Sequence, residues 1–169
     1  MAIMTATEAR KNLYRLIDEV NESHEPLHIS GKRCAAVLVS EKDWYCTQEA
    51  LYILSNTHVR ESIFAGLNTP LDQCVQDGQA GSVAVFYTQT AQQDAHALKT
   101  AGFEEEMEQM LHIVCSDPYQ TPPPLGKLVG DLRNVYCRRI SMQHRLLYEV
   151  LPDQRTVKVL RMCSLYDES

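Results

Sequence analysis

No Cys-x-x-Cys pair occurs in this chain, and no histidine stands at zinc-finger spacing from a cysteine. Six cysteines are scattered at 34, 46, 74, 115, 137 and 163, and the six histidines are as dispersed. That spacing supplies no metal site; it reads as isolated buried or half-buried thiols in a reducing compartment. No apolar run nears the ~20 residues of a membrane span. The opening Met-Ala-Ile-Met-Thr-Ala-Thr-Glu8 has neither a basic nor an apolar leader region, so no secretory signal is expected. The expectation is a cytoplasmic protein with no membrane partner, no metal and no cofactor.

What is present is ordinary globular composition, with 44% hydrophobic and 22% charged residues. The 169 residues allow one domain or two small ones. Net charge is −6, divided as −4 over residues 1–80 and −2 over 81–169. Within the second part, residues 127–161 hold 8 basic and 3 acidic residues. A basic stretch inside an acidic protein is a candidate polyanion surface.

Thr5-Ala-Thr-Glu8 is a capping box, and Leu13, Leu16, Ile17 and Val20 follow at helical spacing. One amphipathic helix over 5–22 is predicted, broken by Glu25-Pro26. Leu27–Ser30 and Cys34–Val39 read as a hairpin turning at Gly31-Lys-Arg33. Ser40 caps a helix whose apolar stripe is Trp44, Thr47, Leu51 and Leu54. A third helix is expected over 57–67, carrying Val59, Ile63, Phe64 and Leu67. Thr69-Pro70 looks like a further N-cap with proline at the first helical position.

Gln76-Asp-Gly-Gln-Ala-Gly-Ser82 has linker composition. The expected divisions are 1–55, a helical segment and linker over 56–80, and 81–169. A domain of ~60 residues is marginal alone, so oligomerisation of the first segment is expected. After the linker come a strand at 83–87 and a helix capped by Thr90 with Gln93 and stopped at Gly102. A second helix follows from 103, with Glu104, Glu105 and Glu106 suiting its dipole. Strands are expected at 128–132, 136–140, 145–150 and 156–162. The class is α+β, with a β-α-α-β-β-β order in the second half.

Arg138, Arg139 and Arg145 lie on the two strands joined by Ser141-Met-Gln-His144. A strand can hold a guanidinium at a fixed place against a phosphate. Any one of them taken alone fits a solvated sheet face.

These residues carry two resemblances. Residues 1–75 resemble the Phd/YefM antitoxins through Thr5-Ala-Thr-Glu-Ala-Arg-Lys-Asn-Leu13, Ala35-Ala-Val-Leu-Val-Ser40 and the Trp44 helix. Residues 83–166 resemble the YoeB/Txe branch of the RelE-like toxins. That match rests on Asp117-Pro-Tyr, Pro122-Pro-Pro-Leu-Gly-Lys-Leu, Gly130-Asp-Leu, Tyr136-Cys-Arg-Arg-Ile, His144-Arg-Leu-Leu-Tyr148 and Val157-Lys-Val-Leu-Arg161. The chain looks like an antitoxin and its toxin joined end to end.

The first resemblance implies a helix–hairpin–helix homodimer, or a higher oligomer, that binds operator DNA and represses its own operon. A C-terminal extension would block the toxin, here within one chain. The DNA-facing residues it implies are Thr7, Arg10, Lys11, Lys32 and Arg33. Taken alone, these residues fit a solvated helix face.

The second resemblance implies an mRNA interferase, a ribosome-dependent endoribonuclease in which the ribose 2′-OH attacks the adjacent phosphate. Such chemistry needs a base, a cation for the phosphate and an acid for the leaving oxygen. Arg145 matches the phosphate-binding arginine and Tyr166 the C-terminal aromatic. Lys127, Arg138 and Arg139 are the RNA-binding residues implied. Two positions depart from the pattern: Gly126 stands where the family carries glutamate, and Leu165 where it carries histidine. Neither can transfer a proton. A toxin-shaped but inactive second half is therefore expected. The alternatives are a self-inhibited ribonuclease using His144 or Glu149 and released by linker cleavage, or a protein that binds mRNA or the ribosome without cutting.

Overall fold

The computed structural model describes residues 3–76, 82–128, 130–132, 134–152 and 155–164. The chain divides into two compact units, Met1–Glu49 and Ala50–Ser169, and the division falls inside a helix.

In the first unit, strands β1 (Ile3–Thr5), β2 (Leu27–Ser30) and β3 (Ala35–Leu38) form a sheet in that order. β1 runs parallel to β2, and β2 antiparallel to β3. The capping box is present: Glu8 N donates to Thr5 Oγ1 at 3.3 Å, and Thr5 N to Glu8 Oε2 at 3.1 Å. The single helix expected over 5–22 is two, α1 (Ala6–Lys11) and α2 (Leu13–Ser23). Asn12 breaks it, with its side-chain amide donating to Glu8 O at 3.0 Å. A short amide side chain competes with the helical ladder for the same carbonyl. α2 ends earlier than Pro26 would force, at His24, which has φ 57° and pairs with Asp43 at 3.0 Å. Leu16, Val20, Ala9 and Leu27 form the core of this unit.

Helix α3 (Glu41–Ser55) starts at Ser40, whose hydroxyl accepts from Asp43 N at 3.1 Å. Its buried residues are Ala50 and Ile53; of the predicted stripe, Leu54 packs half-buried against the same cluster, whereas Trp44 and Leu51 lie exposed.

The second unit is a six-stranded sheet ordered β4-β5-β9-β8-β7-β6. These strands are β4 (Val75–Gln76), β5 (Ala84–Tyr87), β6 (Gly126–Lys127), β7 (Val135–Arg139), β8 (His144–Leu151) and β9 (Thr156–Ser164). All neighbours are antiparallel except β5 and β9. The expected α+β order is found, with one addition and one change. β4 joins the β5 edge, and the strand expected at 128–132 is instead β6 followed by a 3-10 turn at Gly130–Leu132. The expected linker falls largely on residues 77–81, outside the described residues.

One sheet face packs on α5 (Gln89–Thr100) and α6 (Glu104–Ser116), burying Val85, Leu98, Leu111, Leu146, Tyr148 and Val159 among others. The cap of α5 lies two residues before the predicted Thr90. Thr88 caps it, accepting from Ala91 N while donating to Leu160 O, each at 3.1 Å, so the cap is fixed to β9. Gly102, with φ 87°, ends the helix in the left-handed conformation that glycine tolerates.

The other face packs on the end of α3 and on α4 (Thr57–Asn68). Ile53, Val59 and Ile63 form one cluster with Val135, Leu147 and Leu160. Asn56 caps α4, its side chain accepting from Val59 N at 3.1 Å. Thr69 is the C-cap of α4, and Pro70 precedes a 3-10 turn at Leu71–Gln73.

Candidate functional site

Strand alternation sorts the basic block. Neighbouring side chains on a strand point to opposite faces. In the ladder, Arg139 pairs with Arg145, Arg145 with Cys163, and Gly126 with Cys137. Cys137 and Cys163 belong to the cluster that α3 and α4 cover. Gly126, Arg139 and Arg145 therefore share that face. Lys127 pairs with Tyr136, and Arg138 with Leu146, on the α5–α6 face. The residues expected together as an RNA-binding set are split between the two faces of one sheet.

Arg145 is 3% exposed. Its Nη1 donates to the carbonyls of Ser141 at 2.9 Å and His144 at 3.1 Å, folding the guanidinium back over its own hairpin turn. His144 is held beside it, with Nδ1 2.8 Å from Ser141 Oγ and its ring against Phe103. Glu149 is drawn to Lys158 at 3.2 Å. Gly126 is buried, and Arg139 is exposed. Tyr166 and Leu165 lie outside the described residues.

Two more cations fix α4 to the sheet. Lys158, 4% exposed, donates to Leu67 O at 2.9 Å and Thr69 O at 3.2 Å. A cation at the last carbonyls of a helix suits the dipole there. Arg161 grips Asp94 of α5 at 2.7 and 3.2 Å and reaches Ser62 of α4 at 2.7 Å. Beside them a cleft of about 650 Å³ is lined by Asn56, His58, Asp94, His144, Arg161 and Cys163. Among the described residues there is no group of three or more side chains able to hold a metal.

Arg138 is a structural residue rather than an exposed RNA contact. It is 1% exposed, and among the described residues no carboxylate is a partner of its guanidinium. It donates to Tyr148 Oη at 3.0 Å, Pro123 O at 3.1 Å, Pro118 O at 3.0 Å and Gln120 O at 2.8 Å. Tyr148 in turn donates to Pro118 O. Burial pushes the Tyr148 phenol up to about 12, against the opposing pull of Arg138. The basic excess read from residues 127–161 is thus partly internal, since Arg138, Arg145 and Lys158 are buried.

In the first unit, Thr7, Arg10, Lys11, Lys32 and Arg33 are all exposed. Thr7, Arg10 and Lys11 lie on α1, and Lys32 with Arg33 at the β2–β3 turn. That turn is closed by Gly31 N donating to Cys34 O at 2.9 Å. A Cβ on Gly31 would stand 2.7 Å from the same oxygen, so only glycine fits.

Residues 1–72 match the family model described as Antitoxin Phd_YefM, type II toxin-antitoxin system. The N-terminal part of the chain belongs to that family. Antitoxin YefM of Streptomyces coelicolor is 47% identical over 51 residues, which are 30% of this chain and 59% of that protein. The chain thus spans less than two thirds of the length of the curated relatives it matches. The solved YefM antitoxin of Mycobacterium tuberculosis is 33% identical, covering 41% of this chain and 100% of that one, with a TM-score of 0.35. A YoeB/ParE toxin from Agrobacterium tumefaciens is similar at 18% identity over 47% of this chain and 95% of its own, with a TM-score of 0.44.

Proposed function

We propose that this chain is a fused type II toxin–antitoxin protein whose YoeB/RelE-like second half is held silent within the same molecule. Residues 1–55 act as the DNA-binding and dimerising part, 56–80 as the neutralising segment and linker, and 81–169 as the toxin-like part. The observation that carries this reading is the place of Arg145. It is buried on the face that α3 and α4 pack against, with its guanidinium turned onto the carbonyls of residues 141 and 144.

Loss of catalysis follows from chemistry. Gly126 lies on the Arg145 face but has no side chain to take a proton, and Leu165 cannot give one. Each general acid or base typically contributes ~10²–10⁴ in rate, so a site lacking both keeps mainly binding. Glu149, one substitute base, is engaged by Lys158. His144, the other, is engaged by Ser141.

The first unit acts as a repressor on operator DNA. Two copies of α1 and the β2–β3 turn present Arg10, Lys11, Lys32 and Arg33 to a two-fold symmetric site. Its exposed Leu13, Tyr14, Ile17, Val37 and Trp44 are the apolar surface that a dimer would bury. The place of action is the cytoplasm.

Transcript cleavage on purified ribosomes tests the reading. The full chain is expected to leave messenger RNA intact. Cleavage at rates typical of an active interferase by the unaltered chain would overturn the loss of catalysis.

A further inference from the structure

The α5–α6 face of the sheet carries a feature that neither repression nor neutralisation uses. Tyr119 is 45% exposed, at the tip of the loop between α6 and β6. Its ring meets Tyr136 edge-on at 5.4 Å, and Tyr136 stacks on buried Tyr148 at 5.8 Å. Lys127, exposed on β6, holds its ammonium 5.7 Å from the centre of the Tyr136 ring.

An exposed aromatic residue is not by itself informative. What sets this one apart is how firmly it is presented. Arg138 Nη2 donates to Pro118 O and to Gln120 O, the carbonyls on either side of Tyr119. Tyr148 donates to Pro118 O as well, and Tyr119 N donates to Asp117 Oδ1 at 2.9 Å. A guanidinium sunk in the sheet face, satisfied by loop carbonyls, fixes the backbone of a ring that faces solvent. Binding groups gain from such rigidity because less entropy is lost when they are engaged.

We propose that Tyr119, Tyr136 and Lys127 form a platform for an unpaired nucleotide of single-stranded RNA, on the sheet face opposite Arg145. The base stacks on the Tyr119 ring, and the ammonium of Lys127 meets the adjoining phosphate. An aromatic ring beside a single cation suits this occupant, because every base has a π-face and every nucleotide a charge. Asp117, the nearest acid on the loop, is turned to the Tyr119 amide. Arg138 acts as a positioning residue. The choice of RNA rests on the toxin-like reading of this half, but the platform does not depend on cleavage. A chain without proton-transfer groups can keep it.

Fluorescence anisotropy tests this with the full chain and a labelled, unstructured twelve-nucleotide RNA, in excess unlabelled duplex DNA to occupy the first unit. Saturable binding is expected. Tyr119→Ala should weaken it about ten-fold or more, and Tyr119→Phe should leave it within about two-fold. Lys127→Ala should weaken it and reduce the salt slope by about one phosphate contact. Thermal unfolding of each variant should match the parent, since Tyr119 and Lys127 are surface residues. No binding by the parent chain, unchanged affinity in Tyr119→Ala, or equal losses in Tyr119→Ala and Tyr119→Phe would overturn the proposal. Because no ribosome or cleavage enters the measurement, its failure is separable from failure of the toxin–antitoxin reading.

Discussion

Arg138 Nε donates to Tyr148 Oη at 3.0 Å beneath the loop that carries Tyr119. Both side chains are buried, and the same phenol donates onward to Pro118 O. Removing that hydroxyl leaves the buried Arg138 Nε unmatched and takes one of its two donors from Pro118 O. Tyr148→Phe is expected to destabilise the chain by about 1–3 kcal/mol, read as a lower urea midpoint.

The same phenol sets an alkaline limit. An unfolded tyrosine ionises near pH ~10, whereas Tyr148 keeps its proton to about 12. Its folded value is raised, so its contribution is complete below about pH 10 and is lost as the pH climbs through 12. Two units correspond to about 3 kcal/mol. Unfolding midpoints measured from pH 9 to 12 should fall more steeply for the parent than for Tyr148→Phe. Parallel curves would rule out this residue as the source.

Gly66 tests the packing of α4. A Cβ there would lie 3.1 Å from Leu160 Cδ2 and 3.5 Å from Thr88 Cγ2. Gly66→Val cannot be absorbed by one flexible side chain and should cost about 1–3 kcal/mol. Gly66→Ala, which gains helix propensity against a smaller overlap, should cost much less. Hydrogen exchange should show the loss concentrated in α4, and a uniform change along the chain would point to another origin.

Operator binding rests on exposed cations. Arg10→Ala should weaken the complex in an electrophoretic shift assay, and affinity for any duplex should fall steeply with salt. Sedimentation should give a dimer at micromolar concentration. A monomer, or an Arg10→Ala protein that shifts DNA as well as the parent, would dismiss this assignment of the DNA face.

Restoring the two lost positions is the sharpest test of the toxin-like half. Gly126→Glu with Leu165→His in the segment 83–169 should give measurable ribosome-dependent cleavage, given a folded segment by circular dichroism. The same pair in the full chain should stay silent. A tether of about ten residues keeps the covering helix at an effective concentration of about a millimolar. Cleavage by the full-length double variant would mean that α4 does not block the site.

Much of this was readable from residue pattern. The capping box at Thr5, the hairpin through residues 27–38, the α4 face of Val59 and Ile63, and the order of the last three strands follow from local rules. What escaped was decided by tertiary partners. β1 is three residues long and exists only because β2 lies beside it. Thr88 outcompetes Thr90 as a cap because Leu160 O holds its hydroxyl. The burial of Arg138 has no local signal, since its partners are carbonyls 15 to 20 residues away and a tyrosine on the next strand. The division of the cations between faces was in the sequence all along. Arg138 and Arg139 are adjacent on a strand, and alternation alone separates them.

The position of β9 has a temporal consequence. It is the last of the described strands in chain order, yet it sits in the interior of the sheet, parallel to β5 and antiparallel to β8. On a growing chain, β5 must wait some seventy residues for this neighbour, several seconds at ~5–20 residues per second. α4 is made before any of them. When β9 enters and the surface bearing Leu160, Leu147 and Cys163 first becomes whole, the helix that covers it has already emerged. The order of synthesis thus lets a newborn molecule complete its sheet with the cover already at hand.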